Sequence, residues 1–427
     1  MLKNLYFLIF VIAIASGCAD DCTTTQKYLT YEPVYQTTAA VREALNFSTV
    51  PRDINTPGRL YFKDGYMYIN EIGEGIHVID NRNPAIPQKI GFVTIPGNFD
   101  LAAKGNYLYA DSYVDLVVLD ISDPTDIREV NRMETVFGDY GIWAGRFDAT
   151  SQVILTEYNE MWVEQEIDTD CDDNNVWLGR APFAEDQVVQ LRGATSSFAN
   201  TSSASGNVGI GGSMARFTIY DKFLYTVDFS DMRLFDLSEA TAPEKTNTIP
   251  LGWDIETIFP YGDKLFIGAR NGMHIYDNAN PESPVRLSTY QHVQSCDPVV
   301  VRDDYAFVTL RSGSECQGFI NQLDVVDITD LRDPTLLKTY EMSNPHGLGV
   351  NGDCLFITEG EFGLRYLDAA DVNDISEVGF IDGLHSIDVI ALDEVLMVIG
   401  NDGFHQYSYN CDDKSWTYLS SLAIAQL

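Results

Sequence analysis

The strongest constraint on how this chain folds is a phrase that keeps returning: a short apolar run closed by Asp and followed by turn residues. It reads "DLVVLDISDP" at 115–124. Its copies close at Asp80, Asp120, Asp236, Asp277, Asp327 and Asp368, and Ser408 fills the same slot in a seventh, "GFHQYSYN". Neighbouring copies lie 40, 41, 50, 41 and 40 residues apart, with one gap of 116 between Asp120 and Asp236. Self-similarity at a fixed period of this size marks a repeat architecture.

Each repeat holds more than the phrase. About ten residues upstream runs a second apolar stretch, such as "YMYINE" (66–71) or "LFITEG" (355–360), and a third precedes that. A fourth follows the turn, as in "PQKIGFVTI". Short runs rich in Val, Ile, Tyr and Phe between Gly, Asn, Asp and Pro read as strands, four per repeat. Four-stranded units of 40 to 45 residues predict an all-β fold, a β-propeller whose ring closure leaves few exposed edges. Seven copies predict seven blades over 56–424; the weak last copy and the long gap leave six or eight open. The closing Asp, with Asn, Ser or Asp and often Pro after it, has the chemistry of a turn: its carboxylate accepts local N–H groups and Pro presets φ.

The phrases at 76–80, 115–120 and 322–327 resemble the LVIVD repeat of secreted bacterial propeller-like proteins. The resemblance covers most of 56–424. It implies a cell-envelope lipoprotein and says more about fold than about activity.

The start of the chain agrees with export. "MLKNLYFLIFVIAIASGCADDC" joins one Lys, an apolar run and small residues before Cys18, the pattern of a cleaved signal over 1–17 and not of a membrane span. "Ala15-Ser16-Gly17-Cys18" resembles a lipobox, which implies a diacylglyceryl anchor on Cys18, an outer-membrane and even surface-exposed location, and a tether over 18–55. Removing Cys18 leaves six cysteines in a compartment that permits disulfides. Strand order puts Cys296 and Cys316 on one face and Cys354 and Cys411 on the opposite one, leaving Cys22 for Cys171.

A net charge of −36, from 27 basic and 63 acidic residues, excludes a nucleic-acid backbone as partner. In the third strand the residue three before the Asp is variable, and it is histidine at His77, His274 and His405. These fall in different blades, too far apart to share one metal. "DTDCDDNN" (168–175) makes Asp168, Asp170 and Asp172 a candidate calcium site, although the EF-hand Gly and Glu positions hold Asp173 and Gly179. No other cofactor is indicated.

The column with functional promise lies at the start of the first strand. Nine or ten residues before the second-strand aromatic or Met stand Arg59, Asp100, Arg216, Glu256, Asp297, His346 and Asp388. First strands line a propeller's channel, so these seven are expected to ring one mouth, either as salt bridges or as a ligand-binding funnel. Two insertions, 139–212 and 312–321, are expected on the same face. The first carries Trp143, Trp162 and Trp177, and long insertions on a repeat scaffold are where binding evolves. The chain lacks G-x-S-x-G, H-E-x-x-H and P-loop signatures. The expectation is a monomeric scaffold binding a partner protein or glycan through this face; the alternative is a hydrolase or lyase at the channel mouth.

Overall fold

The computed structural model describes residues 21–137, 147–170, 208–213, 215–292, 298–312 and 320–424, without the side chains of 21–24 and 167–170. The chain divides into two compact units, residues 1–35 with 155–194, and residues 36–154 with 195–427.

Among the described residues the larger unit holds seven four-stranded antiparallel meanders, one of which gains a further strand at each edge. Strands A, B, C and D of blade one are Pro57–Lys63, Tyr66–Glu71, Gly75–Asp80 and Gln88–Thr94. Blade two runs from Leu101 to Met133, blade three from Phe217 to Pro250, and blade four from Ile255 to Gln291. Blades five, six and seven begin at Val299, Leu348 and Ser386. Each A strand packs beside the A strand of the next blade, and the last beside the first, so the A strands encircle a central channel. Closure is sealed by one apolar cluster in which Leu60, Met67 and Ile69 of blade one meet Ile390, Met397 and Phe404 of blade seven. Ile54 bridges Ile424 across the same seam.

The recurring Asp does what turn chemistry requires. In all six copies its Oδ1 accepts the backbone N–H two residues on: Arg82, Ser122, Ser238, Ala279, Thr329 and Ala370. In the seventh copy strand C runs past Ser408 to Asn410, whose side chain takes over by accepting from Asp412. The degenerate phrase is thus a longer strand with its cap displaced.

Residues assigned to the tether are partly structured. Thr37 caps a short helix, Thr38–Glu43, and Asn46–Ser48 pairs with strand D of blade one, covering its outer edge. Arg42 of the helix clamps Asp115 on blade two. Cys354, the first residue of strand B after its A-to-B turn, is disulfide-bonded to Cys411 in the next blade's C-to-D turn, with Cα atoms 5.6 Å apart, as expected. Cys296, Cys316, Cys171 and Cys18 lie outside the described residues, and Cys22 is described only as backbone.

Outside the blades, the strands Asp21–Thr37 and Val153–Asp170 form a ribbon, joined at Val153 and Ile154 by the short strand Phe147–Asp148. The acidic run expected as a loop therefore begins inside a strand. Asp168 and Asp170 are described only as backbone, at the end of that strand. Asp172 lies outside the described residues. Among the described residues, no group of three or more His, Cys, Asp or Glu is placed to hold a metal.

Candidate functional site

Six of the seven predicted ring residues are described; Asp297 is not. They do not form one even ring. Antiparallel pairing sets Leu60, Leu101, Phe217 and Val389 opposite matching B-strand positions, so Arg59, Asp100, Arg216 and Asp388 occupy one equivalent place in blades one, two, three and seven. Glu256 and His346 stand one residue earlier. Glu256 falls at a bulge between Ile255 and Thr257, the place that Ile387 holds in blade seven.

The first four make a buried arc. Asp100 is its hub: Oδ2 accepts the backbone N–H of Arg216 at 2.5 Å and of Phe217 at 3.1 Å, Oδ1 accepts that of Leu101, and Arg59 Nε stands 3.8 Å from Oδ2. One carboxylate so ties blades one, two and three. Burial pushes the Asp100 carboxyl above its ordinary range against the pull of Arg59 and these N–H donors. Burial likewise pushes Arg59 down to about 10, opposed by Asp100 and Asp388. Asp388, fully buried, is held well above the carboxylate range, with Val389 N–H as a donor and Oδ2 unpartnered.

Beside the arc, Asp111 Oδ1 accepts Asn98 Nδ2, Phe99 N and Asp100 N at 2.8 to 2.9 Å, while Oδ2 has no partner. Burial raises its carboxyl to about 7. On the other arc Arg270 donates to Glu256 at 3.2 Å, and Arg216 Nε donates to the Glu256 carbonyl. Burial, helped by Arg311, pushes His346 down to about 3, so its ring is neutral at physiological pH. Arg59, Asp100, Glu256, His346 and Asp388 are all buried.

The three column histidines are likewise used within their own blades. His77 meets Glu71 at 2.7 Å, His274 meets Thr289 at 3.0 Å, and His405 faces Asp402 at 3.4 Å. The equivalent Arg233 and Arg365 pair with Asp228 and Glu359. Glu71 and Glu359 also accept backbone N–H groups from the loop leading into their own strand A. The column is therefore an in-blade acid–base pair where it holds His77, Arg233, Arg365 or His405, whereas Val117 and the Thr289-bonded His274 stand outside that use.

The channel itself is occupied. Residues 208–213, the end of the long insertion, run inside it as an extra strand: Ile210 and Gly211 pair with Phe62 and Tyr61. Val208 bridges Lys104, Gly209 N donates to Ala103 O, Gly212 N donates to Leu60 O, and Ser213 Oγ accepts from Leu348 of blade six. Lys104 ends strand A at the A-to-B turn, so the segment starts at the mouth opposite the ring and ends at the ring. This corrects the expectation that 139–212 lies wholly on the ring face. Glycine is what permits it: a Cβ on Gly209 would sit 2.3 Å from the Tyr61 ring. Between the segment and Phe217, Thr218 and Phe259 is left a cavity of about 20 Å³, room for one water.

The ring face also carries an aromatic pair that belongs to no column of the repeat. Trp253, in the D-to-A connection after blade three, is 74% exposed and meets Phe229 of the B-to-C turn edge-to-face at 5.7 Å. Phe229 is itself 43% exposed. Their loops are braced: Leu251 N and Gly252 N donate to Ser230 O, Ile255 N donates to Phe229 O, and Asp228 Oδ1 accepts from Ser230 N and Asp231 N. Asp254 holds φ 61, a left-handed conformation that turns the chain back into strand A beside Glu256. The signal was available in "PLGWDIE": an aromatic at no strand period, beside Gly, in a connection.

The LVIVD repeat family matches residues 98–135 and 295–342, which span blades two and five. The fold is shared with a protein from Lactobacillus plantarum, at TM-score 0.55 and 12% identity over 86% of this chain and 97% of that one. BamB from Moraxella catarrhalis aligns at TM-score 0.44 and 9% identity, covering 88% and 96% of the two chains. Hsv2 of Kluyveromyces lactis aligns at 0.45 and 10%, covering 87% and 100%. No curated protein sequence matches the chain.

Proposed function

We propose that this LVIVD-repeat propeller is a lipid-anchored, exported binding scaffold whose ring face recognises a ligand with an apolar surface, on a partner protein or a neutral glycan. The observation that carries this reading is the braced Trp253–Phe229 pair. A soluble propeller gains nothing in stability from a Trp three-quarters in water, whereas a fixed, exposed Trp is the residue type that dominates binding energy at interfaces. Because its loops are already tied down, ordering them on binding costs little. The surplus of negative charge disfavours anionic ligands.

The hydrolase or lyase alternative needs acids that a substrate can touch. Asp100, Glu256, Asp388 and His346 are buried, and the channel beside them holds the chain's own strand.

The test is a glycan and peptide array probed with the soluble chain from Thr23 and with Trp253→Ala. Binding weakened at least tenfold in the variant, with unchanged melting, supports the reading; equal binding by both proteins rejects the platform. Cys18→Ala, in a fatty-acid labelling experiment, is expected to abolish label and release the protein from the envelope.

A further inference from the structure

The aromatic pair on the ring face has polar neighbours that narrow what it can hold. Phe229 and Arg270 stand at the same place in successive blades, each four residues past the second-strand aromatic, Tyr225 in blade three and Phe266 in blade four. The connection carrying Trp253 and Asp254 runs between those blades and is tied to both: Ile255 N donates to Phe229 O, and Arg270 N donates to Asp254 O. Four side chains thus share one braced patch, two aromatic and two of opposite charge.

The aromatic half is a corner. The ring planes of Trp253 and Phe229 meet at 75°, so one ring makes a floor and the other a wall. The charged half reaches water. Arg270 spends its Nε on Glu256, and its Nη1 stands 3.9 Å from Asp254 Oδ1, beyond hydrogen-bond reach. The two side chains are 27% and 32% exposed. A guanidinium only donates and a carboxylate only accepts, so together they suit a group that does both.

We infer that this patch takes a neutral hexopyranose unit of a glycan, an inference that rests on the reading of Trp253 and Phe229 as the recognition platform. A pyranose with equatorial hydroxyls has the same two halves: axial C–H groups make its face apolar, and its rim of hydroxyls both donates and accepts. The face lies on the aromatic corner while two adjacent hydroxyls meet Asp254 and Arg270, an apolar contact oriented by a few polar groups. A protein partner fits less well. Its anchor would seal the corner from water, and sealing Asp254 and Arg270 with it desolvates two ions that do not hydrogen-bond each other. A sugar exchanges their water for hydroxyls, like for like. The charged pair also sets the configuration. Adjacent equatorial hydroxyls lie side by side near the ring plane and reach both side chains, whereas an axial hydroxyl points out of that plane.

The experiment titrates the soluble chain from Thr23 by calorimetry with cellotetraose and xylotetraose, whose internal units carry adjacent equatorial hydroxyls, and with mannotetraose, in which one of the two is axial. A peptide library is probed in parallel. The expected result is saturable binding of the first two and at least tenfold weaker binding of mannotetraose. Trp253→Ala is expected to lose at least tenfold and Asp254→Asn severalfold, both with unchanged melting, since asparagine tolerates the φ of 61° at that position. Equal binding of mannotetraose, or undiminished binding by Asp254→Asn, removes the charged pair from recognition and overturns the inference. Peptides held through Trp253 with no oligosaccharide bound overturn it too, but leave the platform standing. If nothing binds through Trp253, inference and platform fall together.

Discussion

Two strand segments of the same insertion, both outside the four-stranded blades, are built in opposite ways. Residues 208–213 lie in the channel, paired on strand A of blade one and touching blades two and six. Residues 155–170 pair with the strand Asp21–Thr37. The first is built of Gly, Val, Ile and Ser, the second of glutamate interleaved with Trp, Met and Val. A strand that must lie against an aromatic ring sheds its side chains; a strand whose side chains stand in water keeps charges on them. The same local preference for extended backbone thus serves opposite ends.

The sharpest way to break this contrast is at the hub beside the channel. Asp100→Ala leaves Arg59 without its nearest carboxylate and three backbone N–H groups without an acceptor, and is expected to cost about 3–5 kcal/mol in urea unfolding. A loss below ~1 kcal/mol would show that the arc is incidental.

Asp111→Asn should act with a pH signature. In the folded chain the carboxyl keeps its proton up to about 7, against an ordinary 3.8, so the folded state binds more protons than the unfolded one between those limits. Stability then falls as pH rises through that window, and the neutral amide escapes the fall. The variant's advantage is expected to grow from about pH 4 to about pH 7, level off above, and amount to a few kcal/mol, on the order of what such a shift carries. His346, pushed down to about 3, works with the opposite sign between there and its ordinary 6.5, where stability rises with pH. Only the difference between variant and parent isolates Asp111.

Gly209→Val tests the channel strand itself. Its Cβ has no place beside Tyr61 and the Phe62 carbonyl, and overpacking there is expected to cost about 1–3 kcal/mol, read by thermal melting. The smallest effect belongs to the ribbon: Trp162→Ala should change propeller stability by less than about 0.5 kcal/mol, because the side chain is in water. A larger loss would mean that Trp162 packs against the fold.

Much of the fold was legible because a repeat prints its register into the chain. The Asp of "DLVVLDISDP" closes strand C in six copies and caps its own turn each time, so period, strand order and the Cys354–Cys411 pairing all follow from counting. The candidate site was legible only in part. Counting back nine or ten residues found Arg59, Asp100, Glu256, His346 and Asp388, but a one-residue difference reverses a side chain, and bulges such as that at Glu256 do not show in spacing. Trp253 was missed because a connection has no period to count.

Local matters were written in the order of residues alone: strands, turns and the number of copies. What fills the channel, and which charges meet, depended on the closed ring. Those outcomes rest on contacts between residues far apart in the chain, Asp100 with Arg216, Tyr61 with Gly209, Ser213 with Leu348, and burial sets their energies only once the blades have come together.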